Sequence, residues 1–382
     1  MPLTMKTFGI FLLFCVHLMS AQQLRVTILV EPSVTARDSG LNVFIAGNKS
    51  VFGNWNPSSV KLERISDSLW KFESIFDSAD LLEFKITAGS WEQEALFDSN
   101  KSPTNTILRV TKDTTLIIRP LFWKRRILHQ KPEPIIHGKA DYHRQLGGDG
   151  LNHKRDIIVW LPPSYEKNSK KHYPVLYMHD GQNIFDPTTA FTGYDWRVDE
   201  VADSLMRMKI IEEIIIVGIY NSPDRLPEYS DSDLGTAYLN FVINTVKSLI
   251  DSTYRTKPGK EHTGIIGSSL GGLSSLLFVW KRPDVFGMAG CLSPSFWYDD
   301  EKTLKEIREF FGHKKHIKIY LDCGGREKEL ISGYKRMVEI LKTKGYKKGK
   351  DLDYTFESKG THSEHYWAKR VWRPLVFMFG RR

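Results

Sequence analysis

The pattern of hydrophobic and polar positions changes once along this chain, near residue 154. Before that point, short runs rich in β-branched and aromatic residues are separated by Gly, Asn, Asp, Ser and Pro, which is typical of a β-sandwich. We therefore predict an all-β, immunoglobulin-like sandwich module over residues 22–120. Its predicted strands are Val26–Val30, Leu41–Ala46, Trp70–Phe76, Leu81–Thr87 and Thr115–Arg119.

From Lys154 onward, short and almost continuously apolar runs alternate with helical patterns. This alternation predicts a mostly parallel sheet covered by helices on both faces, with functional sites at the carboxyl ends of its strands. We assign residues 154–382 to this domain, and residues 121–153, which are dense in Pro and Gly, to a linker and lead-in. The predicted strands are Asp156–Leu161, Val175–His179, Ile214–Ile219, Thr263–Gly267, Met288–Leu292, Ile317–Leu321 and Tyr354–Glu357. The predicted helices are Val198–Met208, Thr236–Ser252, Leu270–Lys281, Glu301–Phe311, Ile331–Lys342 and Glu364–Phe377.

The first 21 residues form a separate segment. Lys6 precedes the apolar run Phe8–Val16, which is followed by the small residues Ser20 and Ala21. This order predicts a secretory signal peptide over residues 1–21, too short to span a membrane, and hence a secreted or periplasmic protein. No later stretch is long and apolar enough to cross a membrane, so we expect no membrane partner.

Charge and cysteine content narrow the choice of partners. The formal net charge is +9, but the basic runs are scattered and match no known nucleic-acid motif, so we expect no nucleic-acid partner. Two cysteines, Cys291 and Cys323, remain after the signal segment. We expect both to be buried thiols, with a disulfide between them as the alternative.

Residues 267–271, which read Gly-Ser-Ser-Leu-Gly, follow an apolar run that ends at Ile266. The pattern G-x-S-x-G is that of a nucleophile elbow, a sharp strand-to-helix turn that exposes a serine hydroxyl above the sheet of an α/β-hydrolase. The two glycines allow strand and helix to approach where a Cβ would clash. Ser269 is therefore the candidate nucleophile, and the domain is predicted to be an α/β-hydrolase.

In an α/β-hydrolase an acid and then a histidine follow the serine along the chain. His362 follows the predicted strand Tyr354–Glu357 and opens a helix, which is where the base belongs. A packing role is the alternative for His362. The spacing of His362 and His365 also suits a metal, but no third ligand is placed to complete such a site, so we expect no metal and no cofactor.

Two carboxylates follow the strand that ends at Leu321. Asp322 is still in strand register, which suits a buried structural carboxylate. Glu327 lies beyond a Gly-Gly turn, where it can reach the imidazole of His362. We favour Glu327 as the acid that fixes the histidine tautomer and stabilises the imidazolium, with Asp322 as the alternative.

An oxyanion hole needs two fixed N–H donors. The first candidate is the backbone of Leu270, directly after Ser269 at the start of a helix. The second is the backbone of Gln182, in the loop after the strand Val175–His179, where Gly181 permits a turn towards the reacting carbonyl. An ordinary turn is the alternative for that loop.

Three tryptophans stand out in the β region. Trp70 lies on a predicted strand and is expected in the core. Trp55 and Trp91 lie in loop sequences, where an indole ring either caps the sandwich core or stacks on the flat face of a sugar.

This region resembles the family-20 starch-binding module. The resemblance implies that Trp55 and Trp91 form a glucan platform, that Lys85 is a polar contact, and that the partner is a polysaccharide. The segments that carry it are Leu41–Gly47, Phe52–Pro57, Leu69–Trp70, Leu82–Lys85 and Trp91–Glu92.

From Lys154 to Phe379 the chain resembles an esterase family that includes enterochelin esterases, feruloyl and acetylxylan esterases, S-formylglutathione hydrolase and the mycolyltransferases. The resemblance implies Ser269 as nucleophile, His362 as base and Glu327 as acid. The segments that carry it are Arg155–Pro163, Tyr173–Gly181, Gly267–Gly272, Leu321–Glu327 and Thr361–Trp367.

Residues 221–229 are similar to a substrate-side loop of that family. Arg225, within this loop, and Trp297 are therefore candidates to line a substrate pocket, with surface or packing roles as the alternatives.

These features together predict a secreted serine esterase that hydrolyses a carboxylic ester on a carbohydrate or glycoconjugate through an acyl-enzyme. The β module would tether it to a polysaccharide and raise the local substrate concentration. Two alternatives remain open: an acyltransferase in which a sugar hydroxyl replaces water, and a glycan-binding protein whose hydrolase domain is inert.

Overall fold

The computed structural model describes residues 23–33, 36, 40–97, 105–124 and 136–381. The described chain divides into two compact units, with the boundary between Trp123 and Lys124. The predicted signal peptide lies outside the described residues.

The first unit consists of two four-stranded sheets and a two-stranded ribbon. One sheet has the order β4-β5-β1-β9, the other has the order β3-β2-β6-β8, and β7 pairs with β10 in the ribbon. All strand pairs are antiparallel except β1 with β9. The strands are β1 (Leu24–Val30), β2 (Phe44–Gly47), β3 (Val60–Lys61), β4 (Glu63–Ser66), β5 (Leu69–Phe76), β6 (Asp80–Thr87), β7 (Ala95–Leu96), β8 (Thr106–Val110), β9 (Thr114–Ile118) and β10 (Phe122–Trp123).

One hydrophobic core joins the two sheets of this unit. Alternate residues of β1 contribute to it, including Val26 and Ile28, as the period of two in a half-buried strand requires. Trp70 is buried in this core, which confirms its predicted place. The all-β character of the region is also confirmed, while the immunoglobulin-like topology stays a prediction.

The second unit is built on one eight-stranded sheet of order β11-β12-β14-β13-β15-β16-β17-β18. Six neighbouring strands run parallel to one another, namely β14, β13, β15, β16, β17 and β18. Strands β11 and β12 extend the sheet with antiparallel pairs. The mostly parallel sheet predicted from the sequence is therefore confirmed. Its strands are β11 (Lys139–Leu146), β12 (Arg155–Leu161), β13 (Val175–His179), β14 (Ile215–Ile219), β15 (Thr263–Ser268), β16 (Met288–Leu292), β17 (Lys318–Gly324) and β18 (Leu352–Glu357).

Helices cover both faces of this sheet, because successive residues of the strands enter two different cores. On β12, Ile157 and Val159 belong to one core, and Ile158 and Trp160 belong to the other. The helices are α1 (Val198–Arg207), α2 (Arg225–Glu228), α3 (Asp233–Phe241), α4 (Ser248–Thr253), α5 (Leu270–Lys281), α6 (Tyr298–Glu309), α7 (Lys328–Thr343), α8 (Glu364–Ala368) and α9 (Trp372–Phe379). Helices α3, α5, α6 and α7 contribute to the first core, and α1, α8 and α9 contribute to the second.

The stretch 121–153, expected to be a linker and lead-in, contains two strands. Trp123 on β10 is buried and donates its indole N–H to the Ala36 carbonyl (2.6 Å), so it belongs to the first unit. Strand β11 lies at the edge of the large sheet and carries mainly polar residues. An edge strand needs no continuous apolar run, which is why the hydrophobic pattern did not predict it.

Both cysteines are buried free thiols, as expected. Among the described residues, every helix is too short or too polar to span a membrane.

A buried ion pair holds the start of β12 to α2. The Arg155 guanidinium donates two hydrogen bonds to the Glu228 carboxylate (2.7 and 2.8 Å), and both side chains are fully buried. The rings of Tyr238 and Phe241 lie 5.2 and 5.3 Å from the guanidinium carbon. The pair is thus sealed from water by aromatic side chains.

Arg155→Met should lower the free energy of unfolding by about 3–5 kcal/mol, because it leaves the Glu228 carboxylate buried without its cation. Urea unfolding followed by circular dichroism measures the effect. Lys139→Met, which breaks the exposed pair with Glu166 (2.6 Å), is the matched control and should change the midpoint little. Equal effects of the two substitutions would contradict this account.

Candidate active site

A sharp turn at Ser269 joins β15 directly to α5. The residue has φ +57° and ψ −122°, a backbone conformation that costs about 1–3 kcal/mol and persists only where the surroundings hold it. The Ser269 N–H donates to the Leu292 carbonyl (2.9 Å), and the Ser295 N–H donates to the Ser269 carbonyl (3.0 Å). A Cβ on Gly267 would lie 2.5 Å from the Gly271 carbonyl carbon, so this tight approach requires glycine. The strand-turn-helix geometry is the one that the motif predicts.

The Ser269 hydroxyl is in contact with a second serine. Its Oγ lies 3.1 Å from Oγ of Ser295, which is almost fully buried. Ser295 belongs to the loop after β16, the strand next to β15 in the sheet. Sequence reasoning missed this residue, although its position just past a strand end at the carboxyl edge was a usable signal.

His362 lies in the turn between β18 and α8, beside Glu327. Its side chain is 26% exposed, and its Nδ1 is 3.6 Å from Glu327 Oε1. The Trp367 ring packs edge-on against the imidazole, with 4.9 Å between centroids. Burial opposes ionisation of Glu327, but His362, Arg370 and the Gly324 N–H outweigh it and lower the pKa of this carboxyl to about 2. Glu327 is therefore an anion beside the imidazole at neutral pH.

Asp322, the alternative acid, has other partners. It is fully buried at the end of β17, where it accepts a hydrogen bond from the Ser293 N–H (3.1 Å). Its Oδ2 lies 3.4 Å from Nε of Arg370. Burial raises the pKa of Asp322 to about 6, and the negative charge of Glu327 adds to the effect that Arg370 opposes. Glu327 thus lies beside His362, whereas Asp322 contacts Ser293 and Arg370.

Ser293 is the centre of the polar network around Glu327. Its hydroxyl donates to Glu327 Oε1 (2.8 Å) and accepts from Trp367 Nε1 (3.0 Å) and Arg370 Nη2 (2.9 Å). The residue has φ +44°, a conformation unusual for serine. Sequence reasoning missed Ser293 and Arg370, because their partners are distant in the chain.

The loop after β16 connects the two halves of the site. Ser293 contacts Glu327, which adjoins His362, and Ser295 contacts Ser269 two residues further along the loop. The three residues proposed from the sequence as serine, base and acid are therefore gathered at one end of the sheet, around one short loop.

The two candidate oxyanion donors leave neighbouring strands, β15 and β13, at the same edge. Leu270 is the first residue of α5, where helical N–H groups lack partners within the helix. Gln182 lies in a 3₁₀ turn, Gly181–Asn183, and its side chain accepts from the Asn221 N–H (3.2 Å). A Cβ on Gly271 would lie 3.3 Å from that of His179, so this loop passes close to the start of α5.

Arg225 is engaged with that loop. Its guanidinium donates two hydrogen bonds of 2.7 Å to the Asp180 carboxylate, directly before Gly181, and stacks over Tyr229 at 4.9 Å. Arg225 is therefore held within the protein by Asp180 and Tyr229. Trp297 is partly buried two residues after Ser295, with its ring against Tyr298, and thus lies close to the site in the chain.

The two loop tryptophans of the first unit belong to loops that meet. Thr87, at the end of β6 before the Trp91 turn, donates its hydroxyl to the Pro57 carbonyl (2.6 Å), two residues after Trp55. Both tryptophans are partly buried. The Lys85 ammonium is 2.5 Å from the buried carboxylate of Glu94, so this lysine serves as the counter-ion of Glu94.

Comparison with known proteins identifies a family for the second unit. The family described as "Putative esterase" matches residues 148–377, which is more than half of the chain.

Two curated relatives are each 27% identical to this chain. The uncharacterized protein YbbA of Bacillus subtilis aligns over 248 residues, which are 59% of this chain and 93% of YbbA. The endo-1,4-beta-xylanase/feruloyl esterase of Xylanibacter ruminicola aligns over 197 residues, which are 50% of this chain and 25% of that protein. The chain thus spans only a quarter of the second relative.

Solved structures share the fold. A ferulic acid esterase matches with a TM-score of 0.53 and 23% identity over 63% of this chain and 98% of its own. The enterobactin esterase from Shigella flexneri matches with a TM-score of 0.55 and 14% identity over 93% of each chain. At these identities the likeness concerns the fold alone, which is that of α/β-hydrolase esterases. The chain belongs to this esterase family, and it is a carboxylic ester hydrolase.

Proposed function

We propose that the protein is a serine esterase in which Ser269, His362 and Glu327 act as nucleophile, base and acid. The observation that carries the proposal is the loop after β16, because it contacts Ser269 through Ser295 and Glu327 through Ser293. The strained turn at Ser269 and the anionic state of Glu327 support the same assignment.

In this mechanism Ser269 Oγ attacks the ester carbonyl while His362 accepts its proton. The carbonyl oxygen becomes an oxyanion, to which the N–H groups of Leu270 and Gln182 donate. Collapse breaks the ester bond, and His362 returns the proton to the departing alkoxide. Water then attacks the acyl-enzyme with His362 as base, releases the acid and restores the Ser269 hydroxyl. A sugar hydroxyl in place of water would give acyl transfer by the same steps.

The electrostatic role of Glu327 follows from its surroundings. It is buried and anionic, so an imidazolium that forms on His362 is stabilised in a site of low polarity. Because its partners lower the pKa of Glu327 to about 2, mild acidification should leave this carboxylate ionised.

The Ser295 hydroxyl has a positioning role in this scheme. Ser269 Oγ is held 3.1 Å from Ser295 Oγ, and the proposed mechanism requires it to leave this contact for the imidazole. Arg225 stabilises the oxyanion loop, since its two hydrogen bonds fix Asp180 at the start of the turn that carries Gln182.

The names of two relatives and the loop tryptophans of the first unit support a proposal for the substrate class. Two similar proteins are named feruloyl or ferulic acid esterases, which supports an ester on a carbohydrate or glycoconjugate. Trp55 and Trp91 would bind a polysaccharide through ring stacking and keep the enzyme near its substrate. Export by the predicted signal peptide would bring the enzyme to such a substrate.

Ser269→Ala should lower kcat for p-nitrophenyl acetate by roughly 10³-fold or more, because it removes the attacking oxygen. It should also abolish labelling by a fluorophosphonate probe and leave the thermal midpoint unchanged. Ser268→Ala, one residue earlier, is the matched control and should retain labelling. Unchanged turnover in Ser269→Ala would remove the nucleophile assignment.

Glu327→Gln should lower kcat by about 10²-fold or more, since the imidazolium loses its anion. Asp322→Asn should have a smaller effect, because this carboxylate pairs with Arg370 and Ser293. Steady-state kinetics with circular dichroism of both variants makes the comparison. The reverse order would move the acid to Asp322.

The double substitution Trp55→Ala with Trp91→Ala should weaken retention on insoluble starch or a related glucan, while hydrolysis of p-nitrophenyl acetate is unaffected. Sedimentation of the protein with the polysaccharide measures the bound fraction. Trp372→Ala, which removes an exposed ring from the second unit, is the control. If the unsubstituted protein binds none of the glucans tested, the loop tryptophans are structural.

A further inference from the structure

Three carboxylates that the proposed mechanism does not use converge at the start of α1. Asp195, Asp199 and Glu200 each place one carboxylate oxygen within 4.8 Å of the other two. Two oxygens bound to one calcium ion at about 2.3–2.6 Å lie at most about 5 Å apart, so a single ion can contact all three groups.

The existing hydrogen bonds leave oxygens of this group without donors. Asp199 Oδ2 accepts from the His137 N–H (2.6 Å), Asp195 Oδ2 accepts from the Arg197 N–H (3.0 Å), and Glu200 Oε1 accepts from Arg197 Nε (2.9 Å). Asp199 Oδ1 and Glu200 Oε2 are buried, and the described residues offer them no donor except a proton shared between these two carboxyl groups. Asp199 as a whole is 0% exposed.

A fully buried carboxylate oxygen without a donor is costly unless it carries a proton or binds a cation. Among the contacts above, Arg197 is the only cation that reaches the group. It donates to Oε1 of Glu200 and not to Oε2. When all three acids are ionised, their three negative charges meet only the single positive charge of Arg197 among these contacts.

We propose that Asp195, Asp199 and Glu200 bind a divalent calcium ion, with water completing its coordination. Calcium accepts six to eight oxygen ligands in flexible geometry, whereas magnesium demands a near-ideal octahedron. Three carboxylates at chain positions 195, 199 and 200, two of them on one helix turn, suit the flexible ion.

The ion would fix one wall of the candidate active site. Trp196, between the ligands Asp195 and Asp199, packs on the Trp367 ring with 5.6 Å between centroids. Trp367 in turn contacts the imidazole of His362. Thr192, three residues before Asp195, donates to Glu364 Oε2 (3.0 Å) in the same segment. This link to activity rests on the proposed function, whereas the binding of calcium does not.

The test uses terbium, which replaces calcium at oxygen sites and emits when a nearby tryptophan is excited. With the full chain, we expect terbium luminescence that calcium competes away, and a thermal midpoint that rises on addition of calcium more than with equal magnesium. Trp196 is the expected sensitiser. Luminescence that calcium does not displace, or calorimetry without calcium-dependent heat, would overturn the proposal and leave a carboxyl pair that shares a proton.

Asp199→Asn and Glu200→Gln localise the site. Each should weaken calcium binding by about tenfold or more, because one charged ligand is lost. Asn is close in shape to a protonated Asp199, so the fold should be kept, and circular dichroism checks this. Asp284→Asn, which removes a charge from an exposed pair with Arg282, should bind calcium like the unsubstituted chain. Equal binding in all three variants would contradict the assignment.

The Ser269→Ala variant separates this inference from the proposed function. Calcium should bind it unchanged even if the serine assignment fails. If calcium binds but leaves the hydrolysis rate of the active protein unaltered, the link through Trp196 to the active site is wrong, while the ion site stands.

Discussion

Two carboxylates buried side by side at the carboxyl edge of the sheet set the main constraint on this molecule. Asp322 and Glu327 share one guanidinium, that of Arg370, and one serine, Ser293. Two anions in a site of low polarity repel each other, so their surroundings must favour ionisation of one carboxyl group over the other. The bonds to Glu327 favour its anion, whereas Asp322 is held closer to neutrality. The geometry beside His362 depends on this difference in ionisation.

The hydrophobic pattern predicted those parts of the fold that local sequence determines. Parallel strands buried on both faces, such as Thr263–Ser268 and Met288–Leu292, are continuous apolar runs, and the turn at Ser269 has a glycine requirement that is visible in the motif. Strand β11 was not predicted, because an edge strand carries polar residues that a loop carries equally well. In the first unit, Trp70 lies in the core as its strand position predicts.

The sequence predicted some residues of the candidate site and missed others, and this difference has a physical cause. Ser269, His362 and Glu327 follow strand ends in a recognisable order, so chain position alone pointed to them. Ser293 and Arg370 are defined by partners 29 to 77 residues away, and no local pattern encodes such contacts. The role of Lys85 as a sugar contact stays a prediction, and no local pattern indicated that its ammonium pairs with the buried carboxylate of Glu94.

Cys291 and Cys323 are buried as free thiols, so this part of the fold does not depend on a disulfide between them. Cys291 and Cys323 lie on adjacent strands, and burial raises the pKa of both thiols, so neither is populated as the reactive thiolate. Among the described residues, an oxidant finds no exposed cysteine sulfur to attack, and a reductant finds no disulfide to break. The described part of the fold is thus held without a covalent cross-link between these two strands.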